Sequence, residues 1–178
     1  MSGKIIAMSD MKNLASFLKA KEERAWMQRF MTGSSGIGGF VVQISLNIPG
    51  WPKRLNGDRL ALEAGEAALL CALGFRPAAR ILLYSAAGFA LMMVFPDGER
   101  SARNAKKISV GIEEASEWGR VLDIDVITAG AHISRADIGL DPRKCLLCGS
   151  EAKVCARMGT HVMDELRRVT SRLISSAR

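Results

Sequence analysis

The run Ile81–Phe95 narrows the folds open to this chain more than any other stretch. It is fifteen residues long, apolar almost throughout, and interrupted by Ser85 and Gly88. A helix that crosses a bilayer needs about 20 such residues, so a membrane span is excluded here. Ser85–Gly88 supplies a turn and Pro96-Asp97-Gly98 a second one, which splits the run into strands over about 80–84 and 89–95. Such a hairpin is apolar enough to lie at the centre of a sheet. Residues 1–11 lack the continuous apolar stretch of a signal peptide. The four cysteines, Cys71, Cys145, Cys148 and Cys155, are too few and too clustered for a secreted disulfide framework. A cytoplasmic protein is expected.

The other elements follow from periodicity. Leu14, Phe17, Leu18, Trp26, Phe30 and Met31 recur at helical spacing and predict a helix over about 10–31. Gly33–Gly39, reading GSSGIGG, ends it. Phe40–Leu46 alternates and is β-branched, hence a strand, closed by Asn47-Ile48-Pro49-Gly50. Asp58 is expected to cap a helix over 58–73 whose inner face is Leu60, Ala64, Ala67, Leu70 and Cys71. Further strands are expected at about 107–113, 120–127 and 131–134. A last helix carries Val162, Leu166, Val169 and Leu173 inward and Arg167, Arg168 and Arg172 outward. Helices flanking local hairpins argue for an α+β fold, a mixed, largely antiparallel sheet in one nucleotidyltransferase-like domain over 1–178, with a Cys/His-containing loop and helix at 143–176.

Two constellations carry chemistry. In Leu122-Asp123-Ile124-Asp125-Val126 a strand would point both carboxylates to one face and the aliphatic residues to the other. Two hard oxygen ligands at this spacing suit magnesium, whose shell is completed by substrate phosphates and water. The bland alternative is an edge strand with a solvated charged face. Gly119-Arg120 just upstream adds a close backbone approach and a cation. Phosphoryl or nucleotidyl transfer would use such a site, and Glu113 or Glu114, at the end of the preceding strand, would supply a third carboxylate.

The second constellation is Cys145, Cys148, Cys155 and His161, a C-x2-C-x6-C-x5-H pattern able to enclose tetrahedral zinc. On one continuous helix Cys155 and His161 would diverge, so closure needs a break, for which Gly159-Thr160 is well placed. Alternatively the cysteines simply pack a loop against the final helix. Cys71 reads as core.

The chain has 25 basic and 18 acidic residues, a net charge of +7 and a pI near 9.6, which favours polyanionic ligands or acidic partners. Nucleic acid is not expected, because one Tyr and six Phe make no alternating basic and aromatic surface. Arg135, Arg143 and Arg157 surround the two motifs, and guanidinium forks suit phosphate oxygens. Arg24, placed on the outer side of the first helix, and Lys53 are ordinary surface charges that could equally reach a phosphate. GSSGIGG follows a helix and leads into a strand, the reverse of a phosphate loop, and reads as a flexible loop or lid. His132 reads as structural.

Taken together, GRVLDIDV (Gly119–Val126), SRADIGLDPRKCLLC (Ser134–Cys148) and AKVCARMGTH (Ala152–His161) followed by DEL resemble the citrate lyase holo-acyl-carrier-protein synthases, the apo-citrate lyase phosphoribosyl-dephospho-CoA transferases. The likeness is dense over 119–166 and continues through EERAWMQ (Glu22–Gln28) and NIPGWPK (Asn47–Lys53). It implies a cytoplasmic enzyme that moves a phosphoribosyl-dephospho-CoA group from triphosphoribosyl-dephospho-CoA to a serine of the apo acyl carrier protein (gamma) subunit of citrate lyase, releasing pyrophosphate. In that reading Asp123 and Asp125 hold magnesium over the donor's phosphates, and Arg120 with Arg135 or Arg143 steadies the triphosphate. Rival readings are the equivalent synthase for the malonate decarboxylase carrier protein, and a non-enzymatic zinc-stabilised basic binding module.

Overall fold

The computed structural model describes residues 8–34, 39–96, 99–129 and 131–177. Five strands form one sheet in the order β2-β3-β1-β4-β5, where β1 is Phe40–Leu46, β2 Ala79–Ser85, β3 Gly88–Phe95, β4 Leu122–Thr128 and β5 His132–Ile133. Every strand pairing among the described residues is antiparallel, so the sheet is not mixed. The helices are α1 (Met8–Ser34), α2 (Asp58–Leu73), α3 (Glu99–Ala115), α4 (Ala152–Met158) and α5 (Met163–Ser175). The fold is α+β, as the patterning required.

Strand alternation sorts the sheet into two faces. Phe40, Val42 and Ile44 of β1, Leu91, Met93 and Phe95 of β3, and Leu122, Ile124 and Val126 of β4 are buried together under α2 and α3. The opposite face carries Val41, Met92, Val94 and Ile127 against Met27 and Met31 of α1. Burial of this kind is worth roughly 1.5–3 kcal/mol for each fully covered large aliphatic or aromatic side chain. The β2–β3 hairpin forms at Ser85–Gly88 as its turn chemistry required. Gly88 has φ +82, and a Cβ there would meet the Lys53 carbonyl at 2.6 Å, so the hairpin tip packs on the backbone of the loop after β1.

Residues 107–113 are not a strand: they belong to α3. Lys107, Ile108, Ser109, Val110, Gly111 and Ile112 alternate locally like a half-buried strand. The residues actually buried are Ala102, Ala105, Lys106, Ser109, Val110 and Glu113, which is helical spacing with three polar members. The sheet needs that helix to cover β4.

In α2 the ends lie where expected but the details move. Gly57, in the left-handed region, stands at the N-cap; Asp58 begins the helix, buried, ion-paired to Arg54 and accepting the Leu55 N–H at 3.3 Å. The inner face is Ala61, Leu62, Gly65 and Leu69, while Leu60 and Cys71 are exposed. Gly65 is required there, since a Cβ would lie 2.8 Å from a Leu122 methyl. Strand β4 starts at Leu122, and Trp118–Val121 form a 3₁₀ turn. In α5, Leu166 and Val169 are half-buried and Leu173 buried, but Val162 is exposed before the first turn. Of GSSGIGG, Gly33 and Ser34 close α1, and Ser35–Gly38 lie outside the described residues, as do Asp97, Gly98 and Gly130.

Candidate active site

Asp123 and Asp125 point to the same face of β4, the face covered by α1. Antiparallel register sets Ser45 opposite Asp123 and Gln43 opposite Asp125, which makes a polar rung within an otherwise apolar surface. Gln43 accepts a hydrogen bond from Gln28 of α1 at 2.9 Å. One turn earlier on α1, Arg24 faces inward rather than outward. Its guanidinium donates to the Ala87 carbonyl at 3.1 Å, and its pKa is lowered by burial against the raising pull of Asp123 and Asp125. Asp125 is held above the ordinary carboxylate value, first by burial and then by the Asp123 charge, while Lys106 and His132 oppose the shift. His132, read as structural, is exposed on β5.

The edge of β4 explains Glu113 and Arg143. β5 pairs only with Val126 and Ile127, so from Leu122 to Ile124 the backbone is paired with β1 on one side and has no strand neighbour on the outer side. Side chains take its place. Glu113 accepts the Ile124 N–H at 2.9 Å, Lys106 donates to the Ile124 carbonyl at 2.8 Å, and Arg143 donates to the Leu122 carbonyl. The other Glu113 oxygen receives Arg135 at 2.6 Å and Arg143 at 3.3 Å, and Arg135 also pairs with Glu114. Glu113 thus comes from a helix, and both its oxygens are engaged in closing the sheet edge. Its position differs from the strand end expected for a third cation ligand.

Arg143 reaches from this edge to the aspartates, with Nη1 3.5 Å from Asp123 Oδ1. With Arg120 and Lys144 it separates two cavities. One, of about 280 Å³, lies between the loop after β1, α4 and α5, and is lined by Asn47, Leu146, Met163 and Leu166 as well as the three cations. The other, about 250 Å³, adds Glu113, Glu114 and Arg135. The aspartates line neither; Asp123, with about half its side chain exposed, lies beside them through Arg143. Arg120 donates to the Cys145 carbonyl at 2.7 Å. Gly119 makes its close approach to α3, where a Cβ would strike the Ile112 carbonyl, and not to a phosphate.

Two predicted phosphate ligands lie elsewhere. Lys53 donates to the Ile48 carbonyl at 2.7 Å and stands over the Phe17 ring at 5.6 Å, in a separate hollow with Leu14 and Trp51. Burial lowers its pKa, as do Arg167 and Lys21. Arg157 is exposed in the last turn of α4.

Arg167, read as part of an outward basic face, is instead half-buried. It donates to the carbonyls of Pro49 at 2.7 Å, Pro52 at 3.0 Å and Arg54 at 3.3 Å, holding the loop that walls the larger cavity. Helical periodicity could not reveal this, because the partners are backbone carbonyls more than a hundred residues away. Lys144 was missed as well; its place beside Arg143 was the only signal.

The four predicted soft ligands converge. The ligand atoms of Cys145, Cys148, Cys155 and His161 all lie within 4.8 Å of one another, an arrangement compatible with zinc. α4 ends at Met158, Gly159 turns the chain at φ +59, and His161 comes back to within 3.3 Å of Cys148 Sγ. This is the break that closure demanded. Hydrogen bonds from Ser150, then from Cys155 and His161, bring Cys148 down to about 6, whereas its bond to Cys148, with burial, pushes Cys155 up to about 11.

Comparison with known proteins settles the family. Residues 12–177 match the family of apo-citrate lyase phosphoribosyl-dephospho-CoA transferases. This chain belongs to that family. It is 30% identical to a probable apo-citrate lyase phosphoribosyl-dephospho-CoA transferase of Streptococcus pyogenes serotype M1, over 98% of this chain and 88% of that one. A probable transferase of the same name from Vibrio cholerae is 31% identical over 84% of this chain and 81% of its own. The Protein CitXG of Haemophilus influenzae is 33% identical over 86% of this chain but only 33% of its own length. As a transferase of this family, the chain has its polar rung and its paired cavities within the matched segment. No helix among the described residues is long and apolar enough to cross a membrane.

Proposed function

We propose that this transferase moves phosphoribosyl-dephospho-CoA from triphosphoribosyl-dephospho-CoA to a serine of the apo acyl carrier protein subunit of citrate lyase. The serine oxygen attacks the phosphorus next to the ribose, a new P–O bond forms, and the bond to pyrophosphate breaks. Family membership supports the reaction class, and one observation carries the site: two carboxylates share one face of β4, with Arg143 linking them to a cationic cavity.

The donor set fits magnesium. Burial first, and the Asp123 charge second, raise Asp125, and a cation held by the two carboxylates would offset both. Bound there, magnesium would neutralise charge gathering on the pyrophosphate. Arg120, Arg143 and Lys144 bind the phosphates from the cavity side, and Arg135 orients Arg143 through their shared carboxylate Glu113. Arg24 bounds the site beneath α1. Zinc, the second cofactor of this reading, would be held by Cys145, Cys148, Cys155 and His161.

Intact-mass analysis of apo carrier protein incubated with this chain, the triphosphate donor and magnesium tests the proposal. Citrate lyase carrier should gain one prosthetic group with release of pyrophosphate. Modification of malonate decarboxylase carrier alone would reassign the acceptor, and full transfer by a folded Asp125→Ala protein would remove the site.

A further inference from the structure

We infer that the Cys145–Cys148–Cys155–His161 site is a closed structural zinc centre whose task is to hold the wall of the larger cavity and keep Arg120, Arg143 and Lys144 aimed at an oligophosphate. The phosphate ligand rests on the transferase reading; the metal and its structural task do not. The segment is too slight to hold itself. It consists of a short hairpin, the seven-residue α4 and a glycine turn, and a helix of that length is unstable alone in water. The hairpin is closed by the Lys144–Glu151 bridge, by Cys145 N–H to the Ser150 carbonyl at 2.6 Å, and by Ala152 N–H to the Arg143 carbonyl at 2.8 Å. Its turn presents Cys145 and Cys148 toward Cys155 and His161, and the Leu147 amide points at Cys145 Sγ from 3.5 Å, as amides do around metal thiolates.

Distances favour ligation over packing. Zinc bonds of about 2.3 Å to sulfur and 2.0–2.1 Å to nitrogen place tetrahedral ligands roughly 3.5–3.8 Å apart. Cys148 Sγ is 3.4 Å from Cys155 Sγ and 3.3 Å from His161 Nε2, close to that spacing, and all four ligand atoms lie within 4.8 Å of one another, near enough for one ion to draw them together. With four protein ligands no position is left for water or substrate, which distinguishes a structural site from a catalytic one.

What the metal would hold is visible in the connections. Cys155 and His161 line the cavity from one side. From the other, the Cys145 carbonyl anchors Arg120 at 2.7 Å, and Arg143 and Lys144 immediately precede it. Both walls therefore end on the same four ligands. The lining joins these cations to apolar Leu146, Met163 and Leu166, which suits a ligand with phosphates at one end and a less polar body at the other.

The full-length protein, purified without chelator, should contain one zinc per chain. Replacement by cobalt(II) should give the visible bands of a tetrahedral sulfur-rich site, unchanged on saturation with inorganic tripolyphosphate. Stripping the zinc should weaken tripolyphosphate binding at least about tenfold. Hydrogen exchange should then speed up over 143–161 and leave β1, β3 and β4 protected. Cys148→Ser should reproduce both effects, and Cys71→Ser, on the exposed side of α2, neither. The inference is overturned by absence of zinc, by a cobalt spectrum that shifts with tripolyphosphate, by unaltered affinity after stripping, or by loss of protection throughout the sheet. Carrier modification is scored separately: zinc-dependent tripolyphosphate binding without transfer would leave this centre standing and remove the proposed reaction.

Discussion

The aspartate rung and the cysteine–histidine strap meet at Arg143, yet different forces hold them in place. Asp123 and Asp125 ride on β4, whose Leu122, Ile124 and Val126 are fully or almost fully buried and whose free edge is closed by Glu113, Lys106 and Arg143. Their geometry is a by-product of sheet packing, and it exists before any ligand arrives. Around the strap, Val154, Met158, Val162 and Met163 are exposed, and within 143–161 only Cys145 and Cys155 are buried. Hydrophobic burial there is small, and in the zinc proposal coordination would order the backbone instead. Preorganisation by packing survives loss of the metal; preorganisation by ligation does not.

Four substitutions would break or sharpen this contrast. The largest effect on transfer is expected from Asp125→Asn, which should lower the rate by roughly 10²–10³, the scale of removing one preorganised electrostatic contact, with a denaturation midpoint at neutral pH unchanged or raised, because a buried like charge beside Asp123 is removed. Glu113→Ala should act on stability instead. It strands the Ile124 amide and takes the buried carboxylate away from Arg135 and Arg143, which keep only the more exposed Glu114 and Asp123 as acidic partners, and urea titration should show a loss of about 3–5 kcal/mol. A loss below about 1 kcal/mol would mean that the edge of β4 is not held by this carboxylate. Arg167→Ala should release the loop at 49–54 at a cost of about 1–3 kcal/mol and raise KM for the donor more than it lowers kcat, because the loop lines the cavity but carries no reacting group. Smallest of all, Arg59→Ala removes an exposed pair with Glu63 on α2 and should change stability by only about 0.3–0.5 kcal/mol, leaving both regions and the transfer rate untouched.

Where sequence patterning succeeded, the causes were local. The Ser85–Gly88 turn, the alternation in β4 and the glycine break before His161 each depend on residues within a few positions of one another. Residues 107–113 misled because Ile108, Val110 and Ile112 imitate period two, while the helix that forms buries Lys106, Ser109 and Glu113, polar residues that a hydrophobic pattern treats as outward. The inner face of α2 was displaced for a related reason: its register is set by Gly65, which lets Leu122 of a distant strand approach, and no residue near Gly65 announces that.

By itself, the sequence determined the α+β class, the shared face of Asp123 and Asp125, and the three cysteines and one histidine that could converge across a glycine break, because strand alternation and turn chemistry act over short spans of chain. Only the tertiary structure decided that Glu113 closes an edge, that Arg24 turns inward and Arg167 clamps a loop, and that Arg120, Arg143 and Lys144 stand between two cavities. Those roles depend on which unsatisfied backbone groups and charges are carried together from remote parts of the chain, and that is settled when the sheet and its helices pack.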